Sequence, residues 1–570
     1  MSKFRLFIKT VSYGDTIKIP FMVIDQIKLS REVDILTLVC KDARTISLCR
    51  NPSIGINKSD EFSMFITKLK ELVEPRSIKD SFAYDYRLAF NYPDDGWNLF
   101  DPVKYYGKLL KNYQIDGKPV WCISEVNKNY KISPTYPSCI VVPTAASDQE
   151  MLKRVSIFRS KGRIPSLCWK HPTQPITITR CSQPKIGIAF NSSTEDKHLI
   201  EAIRQSNPLS PTLYLVDARP KVSAIGNVIG PTQGGYEHDY KNTEMRFLNI
   251  DNIHAMRDSL RSLFGLLFKA FLLTYDDSKW HAELEATAWL MHLRRLLSGA
   301  VEIVELIENN HSSVLIHCSD GWDRTAQLSA LCQLMIDPFL RTIEGFAILI
   351  EKEWCSFGHK FAERVGHTTE VKKKPNEKSP VFIQWLDTVF QLLSQFPTSF
   401  EFNEELLIFI ADALYDCRFG TFLGNNEKER KVFKNMTVSI WSWVRLEENI
   451  VAFTNPLYDP ESTEVLWPST GARNIHLWEN YWLRHDPDFR PKYYSPLIRN
   501  HMTKVLNQQG FPHEIHRRPS DSNSSPTSPI STPIATPAST PSSTPIPTPT
   551  SSLSSTPLSQ SFSIDNFGMN

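Results

Sequence analysis

Apolar and polar residues alternate, or run in short β-branched stretches, over 4–8, 17–27 and 35–40. A period of two predicts strands there. Phe62, Phe65, Ile66, Leu69 and Leu72 then recur at helical spacing, so a helix is expected to close a small β-rich module. From about Phe82 the pattern changes. Short apolar runs at 140–143, 186–190 and 213–216 predict buried strands, with helical patterns over 147–158 and 194–205 between them. That alternation indicates an α/β domain, a central sheet flanked by helices. Longer helical stretches follow over 281–308, 325–336 (ended by Pro338) and 382–396. The character is continuous to about Trp482, so this part reads as one large domain. After Pro519 it is lost. Thr-Pro pairs recur at 532, 536, 540, 544 and 548 in a Ser/Thr/Pro background, which predicts a disordered tail.

One stretch carries chemistry. In Ser-Val-Leu-Ile-His-Cys-Ser-Asp-Gly-Trp-Asp-Arg-Thr-Ala-Gln at 313–327, Val314 to Ile316 reads as a buried strand. Leu328, Leu331, Cys332 and Met335 repeat at helical spacing, so the residues between join a strand end to a helix start. Such a turn gathers backbone N–H groups, and the helix dipole adds positive potential. Cys318 and Arg324 stand in the Cys-X5-Arg spacing of cysteine-dependent phosphatases. A thiolate facing loop amides is a strong nucleophile at neutral pH. An arginine fork matches two phosphoryl oxygens and follows their charge into the transition state. A lone buried cysteine is ordinarily structural. With Gly321 and Arg324 in register, the phosphate-loop reading prevails.

Asp320 and Asp323 sit between nucleophile and arginine, where carboxylates would repel an anionic substrate. One is therefore expected to be protonated in the substrate complex and to act as general acid, Asp323 first and Asp320 second. The other is expected to hold the loop. His317 is expected to favour the thiolate or to orient the loop, and Thr325 to bond the sulfur or cap the helix. Lys360 and Arg364, four apart, read as one helix face.

Composition narrows the classes. A chain of 570 residues needs more than one folded unit. Its formal net charge is +2, and leaving out the tail acids Asp521 and Asp565 gives 64 basic against 60 acidic residues. No nucleic-acid partner follows from so small an excess, and any anion binding must be local. Ten cysteines without CxxC or a His/Cys cluster at zinc spacing indicate a reducing compartment, and no cofactor is expected. No signal peptide is expected at Met1. No apolar run of about 18 residues occurs, so membrane contact is expected to be peripheral and the location cytoplasmic. A basic loop from Lys372 to Lys378 would favour an anionic membrane.

The loop has company. Gly-Trp-Asn-Leu-Phe-Asp-Pro at 96–102, Phe-Arg-Ser-Lys-Gly-Arg-Ile-Pro at 158–165, Arg-Cys-Ser-Gln-Pro at 180–184 and Asp-Ala-Arg-Pro at 217–220 accompany His-Cys-Ser-Asp-Gly-Trp-Asp-Arg-Thr at 317–325. Gly-Gly-Tyr-Glu at 234–237, Asn-Ile-His-Ala-Met-Arg at 252–257 and Phe-Glu-Phe-Asn at 400–403 extend the set. In these the sequence resembles the myotubularin phosphatases over roughly 82–487. The resemblance implies a cysteine-phosphatase fold over 82–487 and a PH-GRAM-like module over 1–78, entered late and lacking its first strands. A C-terminal segment over 488–570 follows. It implies removal of the 3-phosphate from phosphatidylinositol 3-phosphate and 3,5-bisphosphate through a phosphocysteine, without metal.

The resemblance also implies substrate contacts from Ser319, Asp320, Gly321, Trp322, Asp323 and Arg324, and from Asn227, Asn252 and Ile253. Lys360 and Arg364 would lie near a 5-phosphate. Position 360 is lysine where arginine is frequent in the family, which weakens a bidentate grip. Phosphoinositide membranes, endosomal ones among them, and homo- or hetero-oligomers with other myotubularins are the implied partners. Two alternatives stand beside this: an inactive scaffold bound to an active partner, and a protein tyrosine or dual-specificity phosphatase. The first would lack the Cys or the Arg. The second brings its acid from a separate loop, whereas here both acids lie within it.

Overall fold

The centre is a five-stranded sheet in the order Ser166–Lys170, Thr177–Ser182, Val314–Cys318, Leu213–Asp217, Thr243–Phe247. The first pair is antiparallel and the other neighbours are parallel. Val314–Cys318 lies in the middle, and all five of its residues are buried. Its register sets Cys181 and Asp217 beside His317, and Ser182 beside Cys318. The carboxyl ends of these parallel strands share one edge, where open α/β sheets place their ligand sites. The computed structural model describes residues 3–485, apart from 10–15, 31–34, 50–58, 74–77, 87–91, 112, 230–233, 271–274 and 368–374. The Ser/Thr/Pro tail and Lys372 to Lys374 of the basic loop lie outside the described residues.

Helices cover the sheet because their apolar stripes need burial. Trp289–Glu308 buries Leu293, Leu296, Leu297, Ala300, Ile303, Val304 and Ile307, an i, i+3, i+4 series. Arg324–Ile336, which leaves the loop after Cys318, has buried residues from Thr325 to Ile336 on every side. A helix buried on every side belongs in the middle of a domain. Thr194–Gln205 begins where the Ser193 hydroxyl accepts from Asp196 N at 3.1 Å, an ordinary N-cap. A π-helical turn, Ile350–Ser356, follows Ile343–Leu349 and turns Glu351 and Glu353 into the interior.

The N-terminal region is β-rich as expected. Arg5–Lys9 pairs with Thr16–Pro20, and Ile24–Ser30, Ile35–Cys40 and Thr45–Cys49 form a meander. The helix Ser59–Val73 follows. Three expectations need correction. The helix read over 281–308 is two, Trp280–Ala286 and Trp289–Glu308, parted where Ala288 adopts φ +59°. The strand read over 186–190 is a turn, closed by Asn191 N donating to Ile186 O at 2.8 Å. The helix read across 357–364 begins only at Phe361, with Lys360 at its N-cap, so Lys360 and Arg364 do not share a helical face.

Gly345 gives a test with an unusual sign. It lies inside the helix Ile343–Leu349, where alanine normally gains about 1 kcal/mol. A Cβ there would run into the Phe339 backbone carbonyl, which belongs to the turn Pro338–Arg341 and cannot swing away. Gly345→Ala is therefore expected to destabilise by about 1–3 kcal/mol, read as a lower melting temperature. A stabilised variant would refute the contact.

Candidate active site

The loop after Val314–Cys318 closes over its own sulfur. Gly321 N–H donates to Cys318 Sγ at 3.3 Å, and Gly321 has φ +75°. A side chain there would be strained, and its Cβ would collide with the Cys181 carbonyl. Turning an amide inward leaves its neighbouring carbonyl to be satisfied elsewhere. Arg180 Nη2 donates to Gly321 O at 2.7 Å and Arg163 Nη2 at 3.1 Å. Both arginines are fully buried. Arg180 is neutralised by Glu353 at 2.7 Å. Arg163 instead donates to the Thr135 and Phe357 carbonyls, each at 2.6 Å, and burial pulls its pKa down to about 10.

Beneath the sulfur lies a charged layer. His317 Nδ1 donates to Cys318 O at 3.2 Å, and Nε2 faces Glu237 Oε2 at 3.0 Å. Burial alone would lower the pKa of His317, but Glu237 and then Asp217 outweigh it and raise it, against Arg219. Burial alone would raise the pKa of Glu237, yet His317 and Arg159 hold it well below the usual carboxylate range. Arg159 also makes a two-toothed pair with Asp196, at 2.7 and 2.6 Å, and Tyr240 donates to the same carboxylate at 2.6 Å. His317 is thus a buried ring, one residue from the thiol, whose protonated form Glu237 and Asp217 favour.

The expected substrate residues spread along the same edge. Asn227, on the helix Lys221–Ile229, donates to Gln183 Oε1 at 3.3 Å and reaches Ser319 Oγ at 3.4 Å. Arg324 Nη1 donates to the Ile250 carbonyl at 3.0 Å. Asn252 caps the helix Ile253–Ala270, accepting from His254 N and Ala255 N at 2.9 and 3.2 Å. Ile253 O accepts from the Ser379 hydroxyl at 2.9 Å. Lys360 Nζ sits 4.5 Å above the ring of Trp322 and pairs with Glu363 at 2.9 Å. These contacts tie Asn227, Arg324 and Lys360 directly to the loop or its edge.

The two loop acids have different surroundings. Asp320 is partly exposed and accepts one bond from Ser160 Oγ at 2.8 Å. Asp323 is buried between Arg364 (Nε at 3.2 Å, Nη2 at 2.8 Å) and His359 Nδ1 at 3.1 Å. Burial alone would raise its pKa, but Arg364 and His359 hold it well below the ordinary carboxylate value. Asp323 occupies the N-cap position without a capping bond. That corrects the expectation that Thr325 bonds the sulfur or caps this helix: Thr325 lies inside it, and its buried hydroxyl has no partner among the described residues.

Sequence reasoning did not assign roles to Arg163, Arg180, Gln183, Arg219, Glu237 and His359. Five of them lie in the short motifs at 158–165, 180–184, 217–220 and 234–237. The available signal was arginine and glutamate beside apolar strand residues, where an unpaired charge is not tolerated. A cavity of about 1240 Å³, lined by Tyr105, Lys108 and Arg430, contains no residue of the loop.

A Cys-X5-Arg loop at the carboxyl end of a central parallel strand, backed by a helix, defines a site of the cysteine-dependent phosphatase class. The sequence matches the myotubularin-like phosphatase domain over residues 81–431. It is 42% identical over 463 residues to mouse phosphatidylinositol-3,5-bisphosphate 3-phosphatase MTMR2, covering 80% of this chain and 68% of the relative. Chicken MTMR2 is 40% identical over 505 residues, 87% of this chain and 84% of the relative. Rat myotubularin is 42% identical over 461 residues, 80% and 73%. The chain belongs to the myotubularin family.

The charged layer yields a pH test. In Glu237→Gln the largest influence raising the pKa of His317 is gone, so the imidazolium loses its proton at lower pH. Its positive charge is then missing where the thiolate must form. The acidic limb of the kcat/KM profile is expected to move to higher pH, with a fall of about tenfold or more near pH 6 and partial recovery at pH 8. A uniform loss at every pH would reduce Glu237 to a packing role.

Proposed function

We propose that this protein is a phosphoinositide 3-phosphatase working through Cys318. The single observation that carries the reading is the loop itself: a buried sulfur receiving a loop amide, with Arg324 anchored by one nitrogen and its fork otherwise available. Cys318 Sγ attacks phosphorus, and the bond to the inositol 3-oxygen breaks. The leaving alkoxide takes a proton, and a phosphocysteine remains. Water then attacks that phosphorus, giving inorganic phosphate and the free thiol. Arg324 and the inward amides follow the charge of the transferring phosphoryl group.

Asn227, Asn252 and Ile253 frame the ring in this reading, with Ser319, Gly321 and Trp322 lining the loop. Lys360 and Arg364 meet a phosphate elsewhere on it. Asp323 is assigned the proton. In the resting site it is ionised by Arg364, so it can act only after that guanidinium turns to a substrate phosphate. With the pair opened and phosphate charge close by, protonation becomes favourable. Asp320, held by Ser160, is the alternative donor. Residues 1–78 are read as a PH-GRAM-like module, 82–487 as the phosphatase domain and 488–570 as a C-terminal segment. Phosphoinositide-bearing membranes, endosomal among them, are the proposed partner, approached from the cytoplasmic side. Among the described residues no helix is long and apolar enough to cross a bilayer.

Phosphate release from 3-phosphorylated lipids and from a phosphotyrosine peptide tests the assignment. Cys318→Ser is expected to lose at least about a thousandfold on the lipids, and release from the peptide alone would overturn the substrate class. Asp323→Asn is expected to lose about 10²–10⁴-fold, more than Asp320→Asn; the reverse order transfers the proton to Asp320. Lys360→Arg is expected to raise the ratio of bisphosphate to monophosphate turnover a few-fold, since a fork can grip where a point charge cannot. A ratio left unchanged would remove Lys360 from the second phosphate's site.

A further inference from the structure

The helix Lys221–Ile229 has two unlike faces. Ala224 is buried, and Asn227 points to Gln183 and Ser319. On the other side Val222, Ile225 and Ile229 are 82%, 45% and 74% exposed. Their spacing, i, i+3 and i+7, is that of a core-facing stripe, yet no described residue covers it. A second apolar projection stands close by. In the turn at 187–190, Ile188 and Phe190 are 69% and 65% exposed. The turn is well bonded, with Phe190 N donating to Gly187 O at 3.1 Å and Asn191 N to Ile186 O at 2.8 Å. Phe190 nevertheless takes φ +52°, an unfavourable conformation for a bulky residue.

The strip from Gly234 to His238 joins the two projections. Gly234 N donates to Asn227 O at 2.9 Å, Gly235 lies against Ile186, and His238 meets the Phe190 ring at 5.7 Å. Both projections therefore border the edge from which Asn227 touches the phosphate loop. Their charges point one way. Segments 183–191 and 219–229 contain no acidic residue and contribute Lys185 and exposed Lys221. Asp239, further along the strip, is already paired with Lys197 at 2.6 Å.

We propose that Ile188, Phe190, Val222, Ile225 and Ile229 form a rim that enters an anionic lipid bilayer beside the Cys318 loop, so that the membrane itself seats the helix bearing Asn227 over its substrate. The proposal rests on the lipid-phosphatase reading in one respect: that reading requires the site mouth to meet a bilayer. Apolar side chains flanked by lysines are what such a surface takes up, the first by burial among acyl chains and the second by attraction to anionic headgroups. Shallow insertion would also explain why no described residue covers the stripe.

The test uses the full chain with all five rim residues changed to serine. Binding is read by co-sedimentation, in a Cys318→Ser background, with vesicles of phosphatidylcholine, phosphatidylserine and phosphatidylinositol 3-phosphate. Turnover is read on those vesicles and on the soluble dibutanoyl form of the same phosphoinositide. Vesicle binding and vesicle turnover are expected to fall roughly tenfold or more, while turnover of the soluble lipid stays within about twofold. Leucine at Phe190, Val222, Ile225 and Ile229 should retain both. If the fivefold variant does not fold, Phe190→Ser alone and the pair Val222→Ser with Ile229→Ser carry the same expectation at smaller amplitude.

Unchanged vesicle binding overturns the rim, as does an equal loss on soluble and vesicle substrate. So does self-association of the wild type that serine abolishes without touching vesicle binding, because the face would then belong to a second copy. A wild type inactive on both lipids sinks the phosphatase reading alone, and co-sedimentation still decides the rim.

Discussion

A phosphate-binding loop must aim its N–H groups at the ligand, and every inward amide turns a carbonyl out toward the protein interior. The structure depends on answering that demand at Gly321, whose carbonyl receives two buried guanidinium groups. Arg180 comes from the strand beside the nucleophile's own, and Arg163 from the segment that precedes Ser166–Lys170. The loop is therefore pinned from two elements that the sheet already fixes. Arg180 brings Glu353 as counterion, and Glu353 in turn accepts from Ser329 and Gln333 on the helix behind the loop. Strand, loop, helix and π-helical turn are thus locked by one chain of polar contacts.

Such contacts are not an economical source of stability. Two charges taken out of water regain in mutual attraction little more than they lose in hydration, whereas removing one partner costs about 3–5 kcal/mol. What the buried charges supply is a single arrangement. Burial lowers the pKa of Arg163, which has carbonyls and no carboxylate bonded to it. The layer under Cys318 follows the same logic. Glu237 serves His317 and Arg159 together, and Arg159 is held in turn by Asp196, so the layer is tied from three elements.

Hydrophobic period revealed the elements whose burial is one-sided or complete over several turns. The helix Thr194–Gln205 and the strands Val314–Cys318 and Leu213–Asp217 were legible for that reason. Thr177–Ser182 was not, because Thr177, Thr179, Arg180 and Ser182 are buried by hydrogen bonds rather than by apolarity. The break at Ala288 was hidden by apolar residues on both sides of it. The run at 186–190 misled in the opposite sense, since Ile186 is buried but Ile188, Ala189 and Phe190 are exposed. At the site, Cys-X5-Arg spacing made the loop plain. Which acid is tied to which base depends on the three-dimensional approach of Arg364 and His359, some forty positions away, and no local pattern encodes it.

Each cation facing the substrate edge is engaged in the resting site, but not equally. Arg324 gives one nitrogen to a neutral carbonyl, Lys360 balances on an aromatic face and one glutamate, and Arg364 is clamped by Asp323 and Glu377. A phosphate displaces a carbonyl from a guanidinium at small cost, because a charged acceptor replaces a neutral one. Displacing a buried carboxylate is dearer, since the freed anion must find another partner or a proton. In the proposed reading the 3-phosphate binds Arg324 without disturbing any ion pair, while a second ring phosphate has to compete with Asp323 for Arg364. That competition subtracts from affinity and adds to proton transfer. In the proposed reading a preference for the bisphosphate resides in turnover more than in binding, and Lys360, half-buried over Trp322 and paired with Glu363, offers that second phosphate a point charge.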